Sequence, residues 1–221
     1  MSGHLVVIDL QQVFADPASG WFTPRFAELL DPIDRLVAAY QPAVTFTRFV
    51  APAEPVGAWQ EYYRQWPFAQ QPPDAPLYAL VDRFAGRPTL ARPTFGKWGA
   101  ELAARAGAEL VVAGVSTDCC VISTVLAAAD AGVKVRVVTD ACAGATDQSH
   151  QQALAIMGLY APLVELVTAD EVIAARAGRG RHGIAPAGCS GIALEDGGIG
   201  QPRQRLPDRA GPGIADAFDV L

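Results

Sequence analysis

Short apolar segments rich in β-branched residues recur along the chain up to residue 167, separated by longer amphipathic or alanine-rich stretches. Apolar runs of this length are typical of buried parallel strands, and the stretches between them are typical of crossover helices. We therefore predict strands at residues 5–10, 43–47, 110–115, 133–139 and 163–167, with a short additional strand at 89–92.

The segments between these strands carry the spacing of helices. We predict helices at residues 24–40, 97–106, 117–131 and 148–159, with a short last helix at 169–176. Strands that alternate with helices indicate an α/β protein. The predicted fold is an open, mainly parallel sheet covered by helices on both faces, which is a three-layer α/β/α architecture.

Two stretches depart from this alternation. Residues 51–87 are rich in proline and aromatic residues, and we interpret them as a partly helical excursion that covers one sheet edge or forms a lid over the site. The end of the chain is rich in Gly, Pro and Arg without sustained periodicity, which is typical of a disordered or loosely packed tail. The expected organisation is one domain at residues 1–174 and a tail at residues 175–221.

Composition narrows the class of protein. The 221 residues are 51% hydrophobic and 18% charged, which suits one domain with a full core. A net charge of -6 argues against nucleic acid or an anionic membrane as a partner. We see no signal segment and no apolar run long enough to span a membrane, so we expect a cytoplasmic protein. The four cysteines lack the spacing of a zinc site or a disulfide framework.

Reactive side chains follow two of the predicted strands. Asp9 ends the apolar run at 5–8, and Cys119 and Cys120 follow the run at 110–115. Open parallel sheets bind ligands at the carboxyl ends of their strands. Cys120 falls in the first turn of a predicted helix, where free N–H groups and the helix dipole favour the thiolate. Core packing would also account for either cysteine, and capping of the next turn for Asp9.

Four segments, taken together, resemble the isochorismatase-like cysteine hydrolases, which include nicotinamidases and other amidohydrolases. In the order found in that family, they are VIDLQQVF at residues 7–14, TFTR at 45–48, GVSTDCCV at 114–121 and TDAC at 139–142. The resemblance covers residues 4 to about 174. It implies a catalytic triad of Asp, Lys and Cys, with Asp9 as the proton acceptor and Cys120 as the nucleophile.

The lysine of the triad is where this chain departs from the family pattern. Arg92 occupies the position that the resemblance assigns to the lysine, whereas Lys97 lies five residues later, within the segment FGKW. An arginine stays protonated at any working pH, but the pKa of a buried lysine can be tuned. We therefore favour Lys97 as the third catalytic residue and keep Arg92 as the alternative.

The resemblance has further implications for the site. It implies a cis peptide bond between Val115 and Ser116, with the backbone N–H groups of Ser116 and Cys120 forming an oxyanion hole. It also implies a homo-oligomer that acts on a small molecule. As candidate substrate-binding residues we name Gln11, Phe14, Trp59 and Trp98.

The expected reaction is the hydrolysis of a C–N bond in a small amide through a thioester on Cys120. Nicotinamidases carry an Asp and two His after the TxTR strand, but residues 49–54 contain no histidine, so we expect no metal or other cofactor and disfavour nicotinamide as the substrate. Two alternatives stay open. One is a vinyl ether hydrolase of the isochorismatase type that uses Asp9 without a covalent step, and the other is a non-enzymatic relative.

Overall fold

A single six-stranded parallel sheet organises residues 3–181, which are the residues that the computed structural model describes. The strands lie in the order β3-β2-β1-β4-β5-β6. Their bounds are β1 His4–Ile8, β2 Val44–Phe49, β3 Thr89–Arg92, β4 Glu109–Val115, β5 Lys134–Ala143 and β6 Val164–Val167. The predicted α/β class and open parallel sheet are confirmed.

Seven α-helices connect or flank these strands within the described part of the chain. They are α1 Gln12–Ala15, α2 Leu30–Tyr40, α3 Trp59–Gln65, α4 Ala100–Ala106, α5 Ile122–Asp130, α6 Asp147–Gly158 and α7 Ala169–Arg181. None of them is both long and apolar enough to cross a membrane. The helix predicted at 117–131 is divided, because a π-helical turn, Thr117–Val121, precedes α5.

Helices cover both faces of the sheet, as β1 shows most clearly. Leu5 and Val7 point to the face covered by α2 and α7, whereas Val6 and Ile8 point to the face covered by α4, α5 and α6. All four side chains are fully buried. Burial on both faces explains why the strand is a continuous apolar run rather than an alternating one.

The strand order brings the ends of β1 and β4 together. From β1 the chain builds the sheet outward through β2 and β3, and it then returns to place β4 on the other side of β1. This reversal is the switch point at which open α/β sheets bind ligands beyond the carboxyl ends of their strands. Asp9 follows β1 and Cys120 lies just after β4, so the topology places both at this point.

Gly114 allows the closest approach between β1 and β4. Its φ is +118°, and a Cβ at this position would lie 2.1 Å from the carbonyl oxygen of Ile8. Any side chain would therefore collide with the β1 backbone. The glycine keeps the end of β4, and the turn that carries Cys120, directly beside the end of β1.

The two irregular stretches differ in how far the structure describes them. Within residues 51–87 the chain forms α3 and three short 3-10 turns, at Pro67–Ala69, Pro76–Tyr78 and Asp82–Phe84. These segments pack partly on a small core of their own around Tyr63 and Tyr78. The last helix, α7, continues to Arg181, so the predicted start of the tail at residue 175 falls inside a helix. The remainder of the predicted tail lies outside the described residues.

Candidate active site

Asp9 and Lys97 form a fully buried ion pair at the end of β1. Lys97 Nζ lies 2.9 Å from Asp9 Oδ2, and both side chains have zero exposure. Thr47 on β2 donates a 2.7 Å hydrogen bond to Asp9 Oδ1. The ammonium also donates to the Thr94 carbonyl oxygen at 2.9 Å and lies 5.1 Å from the centre of the Phe49 ring. Buried charged groups need partners of this kind, and the hydrogen bonds and the aromatic ring supply them here.

The structure places the alternative cation, Arg92, away from this pair. Arg92 is the last residue of β3, and its guanidinium forms an ion pair with Glu101 on α4, where both side chains are partly exposed. Lys97 belongs to the loop between β3 and α4 rather than to a helix start, and this loop turns it inward. Of the two candidates, only Lys97 contacts Asp9.

Cys120 lies in the π-helical turn after β4 with 3% of its surface exposed. The backbone N–H groups of Cys119 and Val121 both donate to the Ser116 carbonyl oxygen, at 3.0 and 3.1 Å. Thr124 then links the nucleophile candidate to the lysine loop. Its hydroxyl donates to the Cys120 carbonyl oxygen at 2.7 Å and accepts the Lys97 N–H at 2.9 Å.

The electrostatic environment of Cys120 favours the thiol over the thiolate. A hydrogen bond with the Cys119 thiol, burial and the nearby Asp9 carboxylate raise the pKa of Cys120 well above its ordinary value, and the positive charge of Lys97 only partly opposes them. These effects act against the thiolate that a helix N-terminus is expected to favour.

The peptide bond between Val115 and Ser116 is cis. The Ser116 side chain is 8% exposed, and its hydroxyl lies 3.5 Å from that of Thr23. Ser116 and Cys120 line the same cavity. An oxyanion hole formed by their backbone N–H groups stays a prediction.

The cavity above the cysteines has a volume of about 360 Å³, which is in the range of small-molecule sites. Its polar floor comes from Ser116, Asp118, Cys119 and Cys120. Its walls are mainly aromatic. The aromatic lining residues are Phe14, Trp21, Phe22, Phe49, Tyr62, Trp66 and Phe95.

Of the four candidate substrate-binding residues, the structure places only Phe14 in this cavity. The Gln11 amide is fully buried and donates to the carbonyl oxygens of Phe49 and Tyr78, both at 2.9 Å, while accepting the Phe49 N–H at 2.7 Å. Gln11 therefore joins the end of β1 to β2 and to the excursion. Its hydrogen-bonding groups are used in these backbone contacts, and its assignment to substrate binding stays a prediction.

Trp59 and Trp98 also lie outside the cavity lining. The Trp59 ring packs behind Phe95, with centroids 5.0 Å apart. Trp98 packs against the core on the face that α4, α5 and α6 cover. The cavity lining does not include either tryptophan, and their assignment as substrate contacts stays a prediction.

Sequence reasoning missed Trp21, which lies at the centre of the aromatic wall. Its ring lies within 5.2–6.3 Å, between centroids, of five others: Phe14, Phe49, Tyr62, Trp66 and Phe68. Trp21 thus joins the loop after α1 to the excursion that carries α3. The adjacent aromatics Trp21 and Phe22, in a loop just after the first motif, were the available signal. Thr47 was also missed, although it lies inside the TFTR segment.

Comparison with known proteins now decides the family. The isochorismatase domain model matches residues 4–171, which is most of the chain. The chain belongs to the isochorismatase family. The resemblance drawn from the four sequence segments is therefore confirmed. The protein is an isochorismatase-family hydrolase.

Solved structures share the fold of this isochorismatase-family protein. A cysteine hydrolase from Pseudomonas syringae superposes with a TM-score of 0.70 at 19% identity, covering 80% of this chain and 93% of that one. An isochorismatase family protein from Desulfovibrio vulgaris gives 0.65 at 21% identity, covering 78% and 98%. A nicotinamidase from Bacillus subtilis gives 0.60 at 16% identity, covering 76% and 99%.

One curated relative shares a shorter segment with this isochorismatase-family chain. The nicotinamidase of Escherichia coli is 45% identical over 60 residues, which is 27% of this chain and 28% of that protein. The match thus spans less than a third of the relative's length. Among the described residues of this family member, no group of three or more His, Cys, Asp or Glu side chains is arranged to hold a metal ion.

Proposed function

We propose that this isochorismatase-family hydrolase cleaves the C–N bond of a small amide through a thioester on Cys120. The observation that carries the proposal is the buried Asp9–Lys97 pair, whose charges both act on the Cys120 thiol that lines the cavity. A thiol needs a base to become a nucleophile, and Asp9 is the carboxylate beside it. Two family segments thus provide the nucleophile, Cys120, and the base, Asp9, and the loop after β3 provides the cation, Lys97.

The first half of the reaction forms the thioester. Asp9 accepts the Cys120 proton as the sulfur attacks the amide carbonyl carbon, forming a C–S bond and a tetrahedral oxyanion. The N–H groups of Ser116 and Cys120 stabilise that oxyanion. When it collapses, the C–N bond breaks and the protonated Asp9 donates its proton to the leaving nitrogen, which departs as ammonia or an amine.

The second half releases the acid. Asp9, again a carboxylate, accepts a proton from a water molecule as its oxygen attacks the thioester carbonyl carbon. Collapse of this intermediate breaks the C–S bond, and the proton returns from Asp9 to the sulfur. Lys97 keeps Asp9 close to one position and stabilises its charge whenever the carboxylate is ionised.

The raised pKa of Cys120 supports a proton transfer that accompanies attack rather than precedes it. In the free protein the proton remains on sulfur, because a buried thiolate next to the Asp9 carboxylate is unfavourable. Moving that proton to Asp9 removes the repulsion, since it leaves a neutral acid beside the developing thiolate. Asp9 thus raises the pKa of the thiol while it is ionised, and it removes the repulsion when it accepts the thiol proton.

Ammonia release from a panel of small carboxamides and ureido compounds tests the proposal in the parent, Cys120→Ala and Cys119→Ala proteins. We expect activity in the parent, activity in the Cys119→Ala control and none in Cys120→Ala. The alternative, vinyl ether hydrolysis without a covalent step, needs no thiol. Turnover of a vinyl ether that persists in Cys120→Ala would replace the proposal with that alternative.

A further inference from the structure

We infer that the cavity selects uncharged aromatic amides and rejects substrates that carry a carboxylate. This inference rests on the proposed function, because it names the substrate class of the same site. It concerns the part of the substrate that does not react. Two independent features of the cavity lead to it, namely the shape of its walls and the charges on its surface.

The walls fit a flat ring. Seven of the lining side chains are aromatic, and they come from three separate regions of the chain. Phe14 and Trp21 lie on one side, with nearly parallel rings at 6.1 Å, while Tyr62 and Phe95 lie edge to face at 5.5 Å. Aromatic ligands gain from stacked and edge-to-face contacts beyond the area they bury. A volume of about 360 Å³ fits a small substrate.

The charges disfavour an anion. Among the described residues that line the cavity there is no Lys, Arg or His, and the carboxyl group is that of Asp118. Asp118 Oδ1 accepts a 3.0 Å hydrogen bond from the Ala145 N–H, which fixes the position of the carboxylate. The nearest buried cation in the site, Lys97, is fully enclosed and already paired with Asp9. A substrate carboxylate would lose its hydration without gaining a cationic partner.

Tyr62 adds to this selectivity. Burial raises the pKa of its phenol, so that the ring stays neutral and presents an O–H donor rather than a second anion. Together with Ser116, this gives the cavity hydroxyl groups suited to an amide or another uncharged polar group. Isochorismate-type substrates, which carry carboxylates, would meet Asp118 and an aromatic wall instead of a basic group.

Binding to the Cys120→Ala protein, which cannot form a thioester, tests the inference separately from catalysis. The probes are benzamide, 4-methylbenzamide, 4-carbamoylbenzoate and cyclohexanecarboxamide, with affinity followed by quenching of Trp21 and Trp66 fluorescence. We expect 4-methylbenzamide to bind at least about tenfold more tightly than its carboxylate analogue, and benzamide more tightly than the saturated ring. Equal or tighter binding of 4-carbamoylbenzoate, equal binding of the saturated ring, or no binding of any aromatic amide would overturn the inference.

A charge placed in the wall should reverse the preference. Phe22 lines the cavity and is only half buried, so Phe22→Arg introduces a cation at a site that tolerates a long side chain. Val56→Arg is the matched control, because Val56 is 73% exposed and outside the lining. We expect Phe22→Arg, combined with Cys120→Ala, to bind 4-carbamoylbenzoate more tightly than the parent combination does. No gain, or the same gain in Val56→Arg, contradicts the account.

A second measurement covers the case in which Cys120→Ala or Phe22→Arg does not fold. The same four probes compete with acylation of the parent protein by 4-nitrophenyl acetate, and their inhibition constants should follow the same order. If the ester acylates Cys120 but the probes show no preference for uncharged aromatics, the substrate class is wrong and the proposed thioester chemistry stands. If Cys120 is never acylated, the chemistry is wrong, and quenching of the parent protein's tryptophan fluorescence by the four probes then decides the cavity selectivity.

Discussion

Lys97 and Asp9 meet at 2.9 Å with neither side chain reaching solvent, although 88 residues separate them in the chain. Asp9 lies at the end of the central strand β1, and Lys97 lies in the loop that follows the edge strand β3. The contact therefore exists only when β1, β2 and β3 are assembled in their observed order. Because each charge is buried, removing either one leaves the other without its partner.

Replacing Lys97 should affect both stability and activity, whereas replacing Arg92 should affect neither strongly. Lys97→Met leaves the Asp9 carboxylate buried and unpaired, which we expect to cost about 3–5 kcal/mol of unfolding free energy. Arg92→Met removes a partly exposed ion pair, worth about 1 kcal/mol or less. Urea unfolding and amide hydrolysis measure both effects. An inactive Arg92→Met protein alongside an active Lys97→Met protein would assign the catalytic role to Arg92 instead.

Asp9→Asn should make the thiol more reactive and the enzyme inactive. The hydrogen bond with Cys119, burial and the Asp9 carboxylate raise the pKa of Cys120, and Lys97 lowers it. Replacing the carboxylate removes one of the raising effects and keeps the lowering effect of Lys97. The pH profile of Cys120 alkylation should shift to lower pH in the variant, while hydrolysis is lost with the base. Site-resolved peptide mass spectrometry gives the alkylation rate. A profile that does not move, or that moves to higher pH, would show that Asp9 does not act on Cys120 in this way.

Much of the fold could be predicted from the sequence because its signals are local. The runs at β1 and β4 are apolar on both faces, which only buried parallel strands require, and the chemistry-bearing Asp9 and Cys120 follow directly after them. Choosing Lys97 over Arg92 also followed from a local property, the fixed charge of arginine. The direction of the Lys97 side chain, however, depends on a loop without periodicity.

The residues that line the cavity could not be identified in the same way. Trp59 and Tyr62 are three residues apart in α3, yet only Tyr62 lines the cavity, because the position of that helix is set by contacts with Trp21. Gln11 lies inside a family motif but is used entirely in backbone contacts. The pKa of Cys120 likewise depends on contacts that its position after β4 does not reveal, namely the hydrogen bond with Cys119, burial and the approach of Asp9.

Thr124 should position the nucleophile relative to the lysine loop. Its hydroxyl bonds both the Cys120 carbonyl oxygen and the Lys97 N–H, and Thr124→Val removes both bonds while preserving shape. We expect kcat to fall about tenfold, corresponding to about 1.4 kcal/mol, with KM little changed. Thr124→Ser keeps the hydroxyl and should restore kcat. A change confined to stability, without a change in kcat, would mean that Thr124 only packs.

The buried His150 should make the protein less stable in mild acid. His150 is 5% exposed and its Nδ1 lies 2.9 Å from Thr117 Oγ1. Burial, then the charge of Arg25, lowers the pKa of His150. Below about pH 6.5 the unfolded chain therefore takes up a proton more readily than the folded one, and stability falls as the pH falls.

His150→Gln should reduce that acid sensitivity. Urea unfolding midpoints of parent and variant at about pH 7.5 and pH 5.5 give the comparison. We expect the drop between the two pH values to be smaller in the variant but still present, because burial also lowers the pKa of His4. An equal drop in the unfolding midpoint of both proteins would mean that His150 does not cause the loss of stability in acid.

In the proposed reaction Cys120 carries the acyl group, and trapping that group shows which side chain is acylated. The protein is mixed with 4-nitrophenyl benzoate, quenched in acid within the first turnover, digested and sequenced by tandem mass spectrometry. We predict a benzoyl group on Cys120 in the parent and in Cys119→Ser, and no benzoyl-cysteine in Cys120→Ala. A benzoyl group on Cys119, or ester hydrolysis that continues unchanged without Cys120, would contradict the covalent mechanism.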